Sequence, residues 1–180
     1  MKGQFFIIGA LFVCILLFFG MGPQISITRT ATGDMNMLGK NLQKEMPHAL
    51  NIGINSSDQL GILHNFTLFS IDAVKKRRID PRCYWLVFQP AGGQVNVSAG
   101  NFMGSPKTFE INLSGVTEDL YVDPGAINST LFSVSGYTFD VTILVDDESA
   151  AFTLLTDKTS VYGSLTLHRA GNVVRKEILA

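Results

Sequence analysis

The sequence has little of what announces an enzyme or a nucleic-acid-binding protein. Only 16% of its 180 residues are charged, and 14 Lys and Arg against 15 Asp and Glu leave a net charge of −1. Such a balance creates no long-range positive field, which argues against nucleic acid as a partner. Cysteine is nearly missing: Cys14 lies in an unbroken apolar run and Cys83 far downstream, so a disulfide framework is excluded as the main stabiliser. The three histidines, His48, His64 and His168, show neither H-x-x-x-H nor H-E-x-x-H spacing, and zinc has no local support. There is no G-x-S-x-G elbow, and Gly92-Gly93 stands between strand-like runs as a hairpin turn, not as a phosphate loop. The expectation is a chain without catalysis, cofactor or metal. An active site assembled from distant positions would show itself as a pocket holding His64 or His168 beside a carboxylate.

What the sequence does have begins with an apolar run. No charge or strongly polar group interrupts Phe5 through Gly22, and Pro23 follows. Eighteen residues at about 1.5 Å each make roughly 27 Å of helix, close to the hydrocarbon thickness of a bilayer. Lys2 is the one charged side chain before the run and Arg29 the first after it, which by the positive-inside rule places the remainder outside the cell. The competing reading is a cleaved secretory signal peptide, with Gly20 and Gly22 at the cut.

Lys2-Gly3-Gln4-Phe5, directly before this run, resembles the class III signal peptides of archaeal type IV pilin-like proteins. The resemblance covers about the first twenty residues. It implies cleavage by a prepilin peptidase between Gly3 and Gln4, retention of the hydrophobic helix, and pilin-like or envelope subunits as partners. The sequence departs from that pattern where pilins carry a glutamate at the fifth mature position; Ile8 stands there.

Beyond Pro23, Gln24 to Gly33 is a Ser/Thr-rich connector in which Ile25 and Ile27 alternate with polar residues. Met35, Leu38, Leu42, Met46 and Leu50 recur at helical steps, with Asp34 as the expected cap and Pro47 as the expected stop or kink. A second helix is expected within Ser57 to Arg78, where Leu60, Leu63, Phe66 and Phe69 share a face and Lys75 to Arg78 form a solvated end. From Arg82 the period changes to two. Candidate strands are 83–89, 94–102, 108–113, 132–134, 137–145, 150–156, 160–168 and 172–178, with turns such as Asp123-Pro124-Gly125 and Asp146-Asp147-Glu148 between them. Closely spaced short strands predict a β-sandwich. Cys83, Tyr84 and Trp85 read as core residues.

Five asparagines stand in N-x-S/T form: Asn55, Asn65, Asn96, Asn112 and Asn128. Asn55, Asn96, Asn112 and Asn128 are the N-glycosylation candidates, Asn128 being the best because AINST reads as a turn, whereas Asn65 falls in the expected helix. Glu118-Asp119 with Asp123, and Asp146-Asp147-Glu148, read as solvated loops rather than calcium sites.

The sequence thus predicts a mainly β, sandwich-like extracytoplasmic domain preceded by a transmembrane helix and one or two short helices. Its divisions are 1–23, a signal anchor; 24–58, a connector with an amphipathic helix; and 59–180, the β-rich domain. The expected role is that of a single-pass cell-membrane glycoprotein, a pilin-like surface protein that acts through protein contacts. The alternative is an anchored extracellular module for a carbohydrate-type ligand.

Overall fold

The run Cys83-Tyr84-Trp85-Leu86-Val87-Phe88 is apolar at both parities, which in a strand means burial on both faces. The computed structural model, which describes residues 31–54 and 58–180, places this run at the centre of β1 (Asp80–Pro90). Nine strands form two antiparallel sheets. The remaining eight are β2 (Gln94–Phe102), β3 (Lys107–Leu113), β4 (Val116–Val122), β5 (Ile127–Ser133), β6 (Thr138–Val145), β7 (Glu148–Leu155), β8 (Ser160–Arg169) and β9 (Asn172–Leu179). The larger sheet has the order β5-β2-β1-β8-β9 and the smaller β4-β3-β6-β7. Two helices, α1 (Ala31–Ile54) and α2 (Gln59–Lys75), cover the other face of the larger sheet.

The two faces of β1 belong to two cores. Tyr84, Leu86 and Phe88 point to the smaller sheet and pack among Phe109, Ile111, Phe139 and Ile143. Cys83, Trp85 and Val87 point to the helices and pack among Met35, Met46, Leu63 and Val74. Trp85 is fully buried, and its Nε1 donates to Thr67 Oγ1 of α2 at 3.2 Å. Thr67 Oγ1 in turn donates to the Leu63 carbonyl at 2.7 Å, so the polar handle of the indole is satisfied inside an apolar layer. The strands flanking Trp85 make room for it: Gly100 of β2 and Gly163 of β8 are its register partners. A Cβ at Gly100 would lie 2.4 Å from the indole ring.

Local chemistry sets the connections. Gly92 and Gly93, both at positive φ, form the two-residue turn of the β1–β2 hairpin, with Ala91 and Gln94 exchanging backbone hydrogen bonds. Asp58 caps α2 by accepting from the Gly61 amide at 3.1 Å. At the other end Lys76 pairs with Asp72 at 2.6 Å, both exposed, so the basic run is a solvated helix end.

Several expectations are corrected. The helix of residues 31–54 does not stop at Pro47, which sits inside it. Proline leaves the Gln43 carbonyl without its helical donor, a cost of about 3 kcal/mol. Burial of Met46, Ala49 and Leu50 on both sides of Pro47 offsets it. Asp34 is not a cap but lies in the first turn. A strand, β4, occupies Val116–Val122, where the acidic residues Glu118 and Asp119 suggested a loop. Its first four residues are exposed, and only Leu120 and Val122 reach the core. Asn128 lies on β5, paired with Ala99, and not in a turn.

The expected fold class is corrected as well. Two sheets and two helices are seen, and among the described residues no helix is long and apolar enough to cross a membrane. The physical reason is plain in α1, whose sequence carries exposed Lys40, Lys44 and Glu45 between the residues of its apolar stripe, and in α2, which has 17 residues. The apolar run Phe5–Gly22, on which the membrane reading rested, lies outside the described residues.

Gly100→Ala is expected to destabilise the fold by about 1–3 kcal/mol, because the added methyl meets the indole and not a flexible side-chain end. Urea denaturation followed by Trp85 fluorescence checks it, and an unchanged midpoint would refute the packing argument. Burial pushes the Cys83 thiol up to about 12. A disulfide reagent at pH 8 should therefore leave Cys83 unmodified in the folded protein and react with it in denaturant.

Candidate functional site

The two sheets do not cover each other evenly. On one side β4 and β5 close the gap: Asn128 Nδ2 donates to the Tyr121 carbonyl at 2.9 Å, and the Asn101 side chain of β2 donates to the Val122 carbonyl at 2.8 Å. Moving across the layers, Tyr84 of β1 meets Phe109 of β3 at 5.6 Å between ring centroids, and Phe88 meets Phe139 of β6 at 6.3 Å. Phe152 of β7 stacks on Tyr162 of β8 at 5.1 Å. The smaller sheet ends at β7, while the larger continues to β9. On β9, Val174 and Ile178 are buried against the helices. Val173 and Leu179, on the opposite face, are 56% and 57% exposed. The inner-face residues Ala150 and Phe152 of β7 are likewise only half-buried.

A polar cluster lies in this opening. Glu148, the first residue of β7, receives Arg175 of β9 on Oε1 at 2.7 Å and the Tyr84 hydroxyl on Oε2 at 3.4 Å. Arg175 also reaches Glu177 at 3.5 Å. Burial holds the Tyr84 phenol protonated well above the usual tyrosine range, and the neighbouring Tyr162 and Glu148 push the same way. Tyr162 is raised too, chiefly by burial. The cluster is thus an ion pair braced by neutral hydroxyls. It leaves Glu148 with both oxygens engaged, an arrangement suited to fixing the wall of an opening.

The residues singled out from sequence are not brought together here. Gly3, Gln4 and Asn55 lie outside the described residues. Asn65 is exposed on α2. Asn96 is half-buried on β2 beside fully buried Ser98, whose hydroxyl shares a hydrogen bond with Ser129 at 2.8 Å. The Asn112 side chain is engaged twice, donating to Thr117 Oγ1 at 2.6 Å and accepting from the Gly115 amide at 3.0 Å. Asn128 is exposed, its amide turned to the Tyr121 carbonyl. The His64 ring packs on Phe102 at 5.4 Å, and its buried Nδ1 has no hydrogen-bond partner. Among the described residues no group of three or more His, Cys, Asp or Glu could hold a metal ion.

Sequence reasoning missed the opening. Glu148 read as part of a solvated turn, and the face of β9 that carries Val173, Arg175, Glu177 and Leu179 was not singled out within the candidate strand 172–178. The available signal was two apolar residues, Val173 and Leu179, on that otherwise charged face.

Because the folded state keeps Tyr84 and Tyr162 protonated beyond the range in which an unfolded tyrosine ionises, their contribution to stability is complete below about pH 10 and declines above it. The urea midpoint should fall between pH 9 and 11, and should fall less steeply in the Tyr84→Phe/Tyr162→Phe variant. Equal slopes would refute the assignment.

The reading of a single-pass membrane and cell-surface protein, with the membrane as partner and an extracytoplasmic domain, is corrected on the same ground as the fold: no membrane-crossing helix is found among the described residues. The correction extends to both roles built on that anchor, the pilin-like surface protein and the anchored carbohydrate-type module. No family model matches the chain, and no curated protein matches it.

Proposed function

We propose that this chain is a non-catalytic protein-binding module that works through the open side of its two-sheet fold. The observation that carries the reading is the exposure of Val173 and Leu179 on the inner face of β9, beside a partly buried Phe152, where the smaller sheet ends. Exposed apolar side chains scattered singly are ordinary, but Val173 and Leu179 share the face of β9 that carries the Arg175–Glu148 contact to β7. The ionisable groups on that face are paired with one another, and so favour recognition over turnover. A protein ligand suits this face better than a sugar, since the aromatic faces of Phe152 and Tyr162 are spent on each other.

Selection of a random peptide library on the full-length chain tests this reading. Peptides enriched on the native protein are expected to lose at least tenfold in affinity for a Val173→Asp/Leu179→Asp variant that melts at the native temperature. Enriched peptides that bind both proteins equally would place recognition elsewhere and overturn the reading.

A further inference from the structure

We propose that the cleft between α2, the start of β1 and the loops after β2 and β4 binds a small organic acid. Its carboxylate lies between Lys75 and Arg82 and its hydrocarbon part on Leu68, Ile71 and Phe102. The site goes beyond the protein-binding role above and shares no residue with the opening beside β7.

The cleft exists because β1 and β2 diverge. Their pairing runs from Pro90 with Val95 to Cys83 with Phe102, and Asp80, Pro81 and Arg82 pair with β8 alone. Beyond Phe102 the chain turns away through Gly104, whose φ of 85° is natural to glycine. α2 contributes Leu68, Ile71 and Lys75, which are three and four residues apart and so share one helix face. Pro124 and Gly125 of the β4–β5 turn complete the lining. The space has a volume of about 270 Å³. Pockets for drug-sized ligands begin at roughly 300 Å³, so the cleft is sized for a small molecule and not for a folded partner.

One residue holds the loop walls. Asn101 is fully buried, and each of its hydrogen-bonding groups is engaged. Its Nδ2 donates to the Ser105 and Val122 carbonyls, each at 2.8 Å. Its Oδ1 accepts from the Met103 amide at 3.0 Å. Its backbone amide donates to the Ala126 carbonyl at 3.1 Å, and its carbonyl accepts from the Gly125 amide at 2.7 Å. The loop after β2 and the turn after β4 are thus tied to a single buried point. A wall fixed in advance avoids the ordering cost that a loose loop would impose on binding.

The lining selects the ligand. Leu68, Ile71, Pro81, Phe102 and Met103 offer hydrocarbon, which a bare ion would leave unused. Among them stand two cations and one carboxylate, in a chain whose net charge is −1. Arg82 Nε meets Asp80 Oδ2 at 3.4 Å, and its two terminal nitrogens have no partner among the described residues. Lys75 makes no ion pair among the described residues, and exposed Arg77 and Arg78 lie between it and Asp80 in the chain. A guanidinium and an ammonium at a hydrocarbon-lined cleft favour a carboxylate over an alcohol, because charge-assisted hydrogen bonds are about twice as strong as neutral ones.

The probe is octanoate, below its micellar concentration, titrated onto the isotope-labelled full-length chain. The amide signals of Ile71, Met103, Gly104 and Gly125 should shift to saturation, and those of Val173 and Leu179 should stay in place. Octanol keeps the chain without the charge and acetate the charge without the chain; each should bind roughly tenfold or more weakly. Lys75→Gln/Arg82→Gln alters exposed side chains and should melt at the native temperature. It should weaken octanoate by roughly tenfold or more and leave octanol unchanged. Leu68→Asp, also at an exposed position, should weaken both. Octanol that binds as well as octanoate, or a Lys75→Gln/Arg82→Gln variant that binds octanoate like the native chain, would refute recognition of the carboxylate. Acetate that binds equally would make this a plain anion site and overturn the proposal. Millimolar octanoate that shifts no lining residue, or only Val173 and Leu179, would overturn it as well. None of these results touches the peptide selection, which reads a different face.

Discussion

The structure depends on the burial of one strand from both sides. β1 gives Tyr84, Leu86 and Phe88 to one core and Cys83, Trp85 and Val87 to the other, so neither layer can be removed without exposing half of it. Trp85 ties the helical layer down most specifically. Its ring fills the space left by Gly100, a Cβ at Gly163 would meet the Tyr84 carbonyl at 2.9 Å, and the indole N–H finds Thr67 on α2. Thr67 would be an indifferent helix residue on propensity alone; it is placed by the partner that it supplies to a buried donor.

The opening follows from a mismatch in strand number. Five strands face four, and the unmatched strand, β9, is covered by α1 on one face only. Lys176 shows how the covered face is shared: its aliphatic stem lies against Gly39 of α1, and a Cβ there would sit 3.1 Å from its Cγ. The other face keeps two apolar residues in solvent and an ion pair to β7. Four inner-face side chains of β7 thus bound a surface built like a core but finished on one side only.

Much of the β architecture was legible because strands write their burial into alternation. In β6, Phe139, Val141, Ile143 and Val145 are buried and the residues between them exposed, as their sequence pattern requires. Tyr137, which continues the pattern, is 90% exposed because the strand begins after it. β4 was illegible for the complementary reason: a strand that buries only Leu120 and Val122 carries no period to read. Pro47 misled because helix propensity is local, while the burial that overrides it comes from packing on α2 and on β8 and β9, the strands being more than a hundred residues away. The mismatch of five strands against four could not be read, since it arises from counting strands in two sheets. No segment of the chain carries that number.

The order of strands in the larger sheet has a consequence for synthesis. β1 lies between β2, the next strand in the chain, and β8, which is joined to it by residues 80–88 meeting 160–168. A ribosome therefore releases β1 with one neighbour and supplies its second only after residues 91–159 have been made. Until β8 and its hairpin partner β9 emerge, the helices have no sheet of full width to pack on, and Gly163 is not there to flank the indole. Both helices are made before the sheet on which they pack. A chain cut short before Ser160 would present an uncovered apolar strand, which is the kind of surface that chaperones hold and proteases remove.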